Sequence, residues 1–133
     1  MMKSKLLKTV TALLLTCIAL TVTAAGTTGN RDNNFTATGH GPEWQLDIDN
    51  GSRAVQFVTD TLSLSYRYPE TGPSFYRDTR TTVYRVPNDD HALSIRVMEK
   101  ACQDNESGKS HETTVLVVLD GTGYRGCGDY ARR

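Results

Sequence analysis

The stretch Phe35-Thr-Ala-Thr-Gly-His-Gly-Pro-Glu-Trp-Gln-Leu-Asp-Ile48 contains the only tryptophan of this 133-residue chain and shows the pattern that decides the fold. Trp44, Leu46 and Ile48 alternate with polar residues, so an extended strand here has one apolar and one polar face. Asn50-Gly51 follows directly and favours a two-residue type I′ turn, in which both central residues have positive φ. The sequence therefore predicts a β-hairpin that begins at this stretch.

The same alternation continues through the rest of the chain, interrupted by turns rich in Pro, Gly, Asn and Asp. It predicts further strands over 54–59, 62–68, 81–86, 93–97, 113–119 and 124–127. A helix over 92–101 is conceivable, but β-branched residues and alternation favour a strand. Thr113 to Leu119 is nearly all apolar, which is typical of a central strand covered on both faces. The predicted class is all-β, a small antiparallel β-sandwich or barrel of six to eight strands.

Residues 1–25 have the order of a secretory signal peptide: a lysine-rich start, an apolar run and small residues at the end. The apolar run contains threonines and is shorter than the about 20 residues of a membrane span. We therefore expect cleavage between Ala24 and Gly26, and a periplasmic or secreted mature form without a membrane span. A lipid anchor on Cys17 is the alternative, but Leu14-Leu15-Thr16 lacks the Gly or Ala usual before a lipidated cysteine.

The mature chain is expected to be a flexible polar leader over 26–34 and a single β domain over 35–133. The whole chain has 15 basic and 15 acidic residues. Loss of the three lysines in 1–25 leaves 12 basic against 15 acidic residues, a net charge of 3 negative. A mildly acidic domain has no electrostatic footprint for nucleic acid or for an anionic membrane, so neither is an expected partner.

Two cysteines, Cys102 and Cys127, remain in the mature chain. In an oxidising compartment such a pair favours one disulfide, and closing a loop of this length stabilises a protein by about 3 kcal/mol in the chain-entropy model. A metal site or a catalytic thiol is the alternative, but it needs further ligands or a general base at suitable spacing. Neither cysteine has them, so the prediction is a β domain with one disulfide.

No catalytic constellation can be identified in the sequence. His40, His91 and His111 are the only histidines, and their spacing does not predict a zinc cluster. The acidic turns lack the ligand pattern of a calcium loop, and the Gly-x-Ser-x-Gly motif of hydrolases is absent. We therefore expect no catalytic residue, no bound metal and no cofactor.

Two stretches remain as candidate binding surfaces. The first is Gly39 to Trp44, where two glycines and a proline shape the entry to a strand; its alternative role is a structural corner whose tryptophan fills the core. The second is the polar loop from Cys102 to His111, because a long polar loop fixed on a rigid sheet is where binding residues tend to lie. Its alternative role is a plain surface connection. The candidate binding residues are His40, Glu43, Trp44, Ser107, Gly108, Lys109 and His111.

These stretches also resemble the motifs of a family of small bacterial secreted proteins and lipoproteins, which have an Ala-x-Gly-Asn-Glu-Pro-x-Trp-like motif and a late Gly-Cys. The residues that carry the resemblance are Thr36-Ala-Thr-Gly-His-Gly-Pro-Glu-Trp44, Cys102, Ser107-Gly108, Val115 to Leu119, Asp120-Gly121 and Gly126-Cys127-Gly128. Pro42-Glu43 stands here in the inverted order. The resemblance implies an envelope location, a β fold and a bridge between Cys102 and Cys127, and it implies no particular activity.

A weaker resemblance is to periplasmic lysozyme inhibitors, small disulfide-bearing β-barrels that present a Ser-Gly loop to the cleft of the enzyme. It implies that Ser107 supplies a hydroxyl and Lys109 a cation toward catalytic carboxylates, with His111 near the place of the usual aromatic residue. The sequence thus favours a non-catalytic binding module of the bacterial envelope, with an envelope protein or a lytic enzyme as partner. The alternatives are an inhibitor of lysozyme or a related lytic enzyme, and a metal- or small-ligand-binding accessory protein.

Overall fold

A computed structural model of the chain describes residues 31–132. The expected signal peptide over 1–25, with Cys17, lies outside the described residues, as does 26–30 of the expected leader. The described strands are β1 (Arg31–Gly39), β2 (Trp44–Asp49), β3 (Ala54–Thr59), β4 (Ser63–Arg67), β5 (Ser74–Tyr76), β6 (Thr81–Val86), β7 (Leu93–Met98), β8 (Cys102–Gln103), β9 (Ser110–His111), β10 (Thr113–Leu119) and β11 (Thr122–Arg132). Within 31–132 there is no helix, and hence none that could cross a membrane.

Nine strands form one antiparallel sheet in the order β4-β3-β2-β1-β11-β10-β7-β6-β5, and β8 pairs with β9 in a small second sheet. The large sheet curls into a half-barrel. Its curl brings the rings of Tyr68, just after β4, and Tyr84, in β6, into edge-to-face contact with centroids 5.2 Å apart. The prediction of an all-β antiparallel fold is confirmed; the architecture is one curled sheet.

The core lies on the concave face of this sheet. Trp44, Leu46 and Ile48 are all buried, as their alternation with polar residues predicts. In β10, Thr113, Val115, Val117 and Leu119 continue this buried row. On the other face Thr114 is buried, while Leu116 and Val118 are half-buried. The second face of 113–119 is therefore covered only in part, whereas the sequence predicted that both faces are covered.

The predicted strands match the structure closely where the alternation is regular. Strands β3 and β6 have the predicted bounds, and 124–127 is part of the longer β11. Strand β1 begins at Arg31, so residues 31–34, expected in the leader, belong to the sheet. Periodicity could not identify them because they are all polar; Asn34 is held there by pairing with Asp49. The short strands β5, β8 and β9 carry too few residues for a period to be recognised.

The hairpin between β2 and β3 forms as predicted, but its turn is not the two-residue type. Asp49 pairs with Ala54, so the loop has four residues, and Arg53 is the one with positive φ, 62°. The Asp49 carboxylate accepts hydrogen bonds from the hydroxyl and N–H of Ser52 and from the N–H of Gly51, which lowers its pKa. These bonds close a wider loop than the Asn-Gly dipeptide alone favours.

Two aromatic rings pack against glycines at the centre of the sheet. A Cβ atom on Gly126 would lie 2.0 Å from the carbonyl oxygen of Thr38 and 2.6 Å from Cζ2 of Trp44. A Cβ on Gly128 would lie 2.4 Å from Cζ of Phe35. The Gly-Cys-Gly sequence therefore provides the space in β11 that the two rings occupy, and Trp44 does fill the core.

Cys102 and Cys127 form a disulfide with a Cα–Cα distance of 5.5 Å, which confirms the predicted pairing. The bond joins β8, at the start of the polar loop, to β11. Because Cys127 also pairs with Thr38 of β1, the bridge fixes the polar loop beside the end of β1.

Candidate functional site

The first candidate stretch forms the turn between β1 and β2. Gly39 pairs with Trp44, which leaves residues 40–43 as a four-residue turn. Gly41 has a φ of 73°, a conformation that glycine adopts without strain. The turn brings Nδ1 of His40 to 2.7 Å from Oε1 of Glu43, so an imidazole and a carboxylate stand together at the end of the sheet.

The second candidate stretch is a loop that closes on itself between β8 and β9. The N–H of Asp104 donates to the carbonyl of Lys109, and the N–H of Gly108 donates to the carbonyl of Asp104. The Asp104 carboxylate accepts the N–H groups of Glu106 and Ser107. The bond from Glu106 is the main reason that the pKa of Asp104 falls to about 2. The loop is thus a compact element, with its start anchored by the disulfide.

His40 joins the two stretches. Its Nε2 atom lies 3.2 Å from Oδ2 of Asp104, and its Nδ1 atom lies 2.7 Å from Oε2 of Glu106 as well as from Glu43. The hydrogen bond with Glu43, followed by that with Asp104, raises the pKa of His40. One imidazole therefore contacts three carboxylates, two of which come from a loop more than sixty residues away.

An open cleft of about 720 Å³ lies between the two stretches, with the end of β3 as its third side. Six of the seven candidate residues line it, namely His40, Glu43, Trp44, Ser107, Lys109 and His111. Gly108, the seventh, has a φ of 72° and forms the turn between Ser107 and Lys109. The structure therefore brings the two candidate surfaces together into one site.

The cleft carries an excess of negative charge. Four carboxylates line it, those of Glu43, Asp60, Asp104 and Glu106, and Lys109 is the lining lysine. Even with both lining histidines protonated, these four carboxylates face only three cations. Such a surface attracts cationic groups and repels anionic ones.

Asp60, Asp104 and Glu106 were not among the residues predicted from the sequence. The two loop carboxylates lie inside the predicted polar loop, but no local spacing relates them to His40. One signal was present: the bridge from Cys102 to Cys127 fixes the start of the loop. Only the pairing of Cys127 with Thr38, which the sequence does not specify, then places that loop beside His40.

The other two histidines each contact one carboxylate. Nδ1 of His91 lies 2.7 Å from Oδ2 of Asp120, and Nδ1 of His111 lies 2.5 Å from Oδ2 of Asp129. In both pairs the second carboxylate oxygen accepts a backbone N–H, so the pair fastens a turn or a strand end. His40 differs from them in having more carboxylates than it can satisfy.

A larger depression, of about 920 Å³, lies at the opposite end of the strands. Its walls include Pro69, Val86, Pro87 and Leu93, and His91 at its edge is already paired with Asp120. Volume alone favours this depression, but the convergence of polar side chains on His40 favours the smaller cleft as the candidate site.

Comparison of the chain with protein-family models, with curated proteins and with solved structures found no match. The resemblances to secreted envelope proteins and to lysozyme inhibitors therefore stay predictions. The candidate site rests on its own geometry. His40, in the turn between β1 and β2, contacts carboxylates of that turn and of the disulfide-anchored loop, and the two segments border an acidic cleft.

Proposed function

We propose that this chain is an exported, non-catalytic binding protein of the bacterial envelope, and that it binds a positively charged ligand in the cleft between residues 40–44 and 104–111. The observation that carries the proposal is the convergence of Glu43, Asp104 and Glu106 on His40. These carboxylates come from two separate segments and outnumber the cations beside them. A bound cationic group compensates that charge.

Export is supported by the disulfide, because such bonds persist in oxidising compartments and are rare in the cytosol. The order of residues 1–25 supports the same proposal. A test is to express the full chain in bacteria and to follow both its compartment and its N-terminus. Recovery from the periplasm with a new N-terminus between Ala24 and Gly26 supports export, whereas an intact chain in the cytosol contradicts it.

Cation binding can be measured through Trp44, the only tryptophan, which lines the cleft. The purified protein is titrated with a tri-lysine peptide and, separately, with a tri-glutamate peptide, at low and at high salt. We expect a change of fluorescence with tri-lysine alone that weakens as salt screens the charges. A flat response to tri-lysine at low salt contradicts the proposal.

A double variant tests whether the binding occurs in the cleft. Glu43→Gln with Glu106→Gln removes two charges there, and we expect at least about tenfold weaker binding of tri-lysine, because two close charges are lost at once. The matched control is Asp89→Asn with Asp90→Asn, which removes the same charge at the opposite end of the sheet. Equal losses in the two double variants indicate a non-specific effect of net charge and reject the cleft as the site.

A second candidate function, inhibition of a lytic enzyme, is favoured by one observation: Ser107 and Gly108 are exposed on a loop that the disulfide anchors. The cleft that Lys109 lines also contains the carboxylates of Asp104 and Glu106, and this excess of negative charge weakens the proposed role of Lys109 toward catalytic carboxylates. The test is lysis of cell walls by lysozyme in the presence of the protein. Protection that disappears in Ser107→Ala with Lys109→Ala supports inhibition, and absence of protection by the unmutated protein rejects it.

A further inference from the structure

Three side chains of the cleft offer metal-ligating atoms at one point. Nδ1 of His40 and one carboxylate oxygen each from Glu43 and Glu106 all lie within 4.8 Å of one another. From this grouping we infer that the cleft binds a divalent transition-metal ion, with His40, Glu43 and Glu106 as its protein ligands. The inference rests on the proposed function of the cleft as a cation site and names the class of cation. It runs against the expectation of no bound metal, which came from sequence spacing alone.

The hydrogen bonds of His40 do not account for all its contacts. The imidazole carries at most one proton on Nδ1, yet Oε1 of Glu43 and Oε2 of Glu106 each lie 2.7 Å from this one atom. One proton cannot form two full hydrogen bonds, so one carboxylate faces the nitrogen without a proton of its own. A metal ion placed between the three atoms attracts both carboxylates and the nitrogen lone pair at once.

Asp104 occupies the position of a residue that orients a metal-binding histidine. Its Oδ2 atom lies 3.2 Å from Nε2, the ring nitrogen opposite to the proposed ligand atom. Metal-ligating histidines almost always donate their second N–H to a carboxylate, a carbonyl or water, which fixes the ring and its tautomer. Asp104 is itself held by the backbone N–H groups of Glu106 and Ser107. This contact is independent of the three proposed ligand atoms, and it favours the tautomer that leaves Nδ1 free to bind a metal.

The ligand set selects the class of ion. One imidazole nitrogen with carboxylate oxygens suits zinc, cobalt, nickel or copper, whereas calcium and magnesium prefer oxygen ligands alone. Bonds of about 2.0 to 2.2 Å to a tetrahedral ion hold ligand atoms about 3.4 Å apart, so the present 2.7 Å contacts must open by less than about 1 Å. The side chains of Glu43 and Glu106 are 67% and 63% exposed and have room to move. Three protein ligands leave one tetrahedral position for water or for a group of a partner.

The test is metal binding to the purified, untagged protein by calorimetry, with zinc, cobalt, calcium and magnesium. We expect one zinc or cobalt ion per chain, bound at least about tenfold more tightly than calcium or magnesium, because the nitrogen ligand favours the transition metals. The visible absorption of bound cobalt reports its ligand set and gives a second signal. Absence of zinc and cobalt binding, or tighter binding of calcium, overturns the inference.

Variants locate the ion. His40→Gln and Glu106→Gln are each expected to weaken zinc binding at least about tenfold and to change the cobalt spectrum, and Asp104→Asn to weaken it by about tenfold through the orientation of His40. The control is His91→Gln, which removes a histidine of similar exposure that also contacts an aspartate. Circular dichroism checks that each variant is folded. Zinc affinity that is unchanged in His40→Gln, or that falls equally in His91→Gln, places the ion elsewhere and overturns the assignment.

The tri-lysine titration separates this inference from the proposed function. If tri-lysine binds in the cleft and zinc does not, the cleft is a site for organic cations and the metal inference is rejected alone. If neither binds, both proposals are rejected. If both bind, saturating zinc should weaken tri-lysine at least about tenfold by competing for the same carboxylates, and zinc binding without such competition places the ion outside the cleft and rejects the metal assignment.

Discussion

The two ends of the half-barrel differ in how many carboxylates surround one of their histidines. At the end that carries the Asp120-Gly121 turn, His91 contacts one carboxylate, and Asn50 accepts hydrogen bonds from the hydroxyls of Tyr68 and Tyr84. At the cleft end, His40 contacts three carboxylates on two segments. The difference distinguishes a structural histidine from a candidate binding one. His91 has one carboxylate partner, whereas His40 has more carboxylates around its ring than it can satisfy.

The largest effect is expected beneath the cleft, at Gly126. Gly126→Ala places a Cβ against the Thr38 carbonyl and the Trp44 ring, and we expect it to lower the free energy of unfolding by about 3 kcal/mol through overpacking. The measurement is denaturant unfolding followed by circular dichroism. Gly123→Ala in the same strand is the control, because its Cβ would meet Leu116 at an ordinary 3.5 Å. Equal stability of the two variants would falsify the proposed close packing.

The disulfide is expected to stabilise both the fold and the cleft. Replacing Cys102 and Cys127 together by serine should lower the free energy of unfolding by about 3 kcal/mol in the chain-entropy model. It should also weaken tri-lysine binding, since the loop that carries Asp104 and Glu106 loses its anchor. Unfolding curves and the tryptophan titration measure the two effects. Loss of stability with unchanged binding indicates that the hydrogen bonds of the loop suffice to hold its carboxylates.

At the opposite end, Tyr84→Phe removes the hydroxyl that donates to Oδ1 of Asn50, 3.1 Å away. We expect a loss of about 1 kcal/mol in the free energy of unfolding, typical of one hydrogen bond, and no change in tri-lysine binding. Burial is the main reason that the pKa of Tyr84 is raised, so this hydroxyl holds its proton more firmly than that of an exposed tyrosine. Tyr76→Phe, at an exposed ring, is the control and should leave stability unchanged.

The smallest effect concerns Asp120. Its hydrogen bond with His91, and then that with the N–H of Ala92, lowers its pKa below 3.8, so its stabilising contribution is present above pH 3.8 and is lost as the pH falls through the lower folded value. Asp120→Asn keeps a residue suited to the positive φ of this turn and removes the titration. Unfolding midpoints below pH 3.8 should then fall less steeply in the variant. Parallel profiles for the two proteins contradict the assignment.

The sequence predicted what depends on neighbours along the chain. Alternation identified the row of Trp44, Leu46 and Ile48. Asp120-Gly121 forms a two-residue turn, with φ of 49° and 84°. Asn50-Gly51 does not form the predicted two-residue turn, because the amide oxygen of Asn50 accepts hydrogen bonds from Tyr68 and Tyr84, 18 and 34 residues away. Propensity describes a dipeptide in isolation, and these bonds depend on the curl of the sheet.

The candidate site was predicted as two separate stretches and not as one cleft. Its residues were identified from local features, the glycines around His40 and the polar loop after Cys102. Their union depends on the pairing of β1 with β11, since this puts Thr38 beside Cys127 and hence the loop beside His40. Strand partners that are distant in sequence leave no periodic signal in a single chain.

The pairing of β1 with β11 also has a consequence for the order of folding. Phe35 pairs with Tyr130, so the central contact of the sheet joins the first described strand to the last. The three-stranded units on either side, β2-β3-β4 and β5-β6-β7, can form from local contacts while the ribosome is still producing the chain. The middle of the sheet has to wait for residue 130, because closing such a long loop comes late and slowly. The two halves of the sheet can therefore join only after β11 has been synthesised.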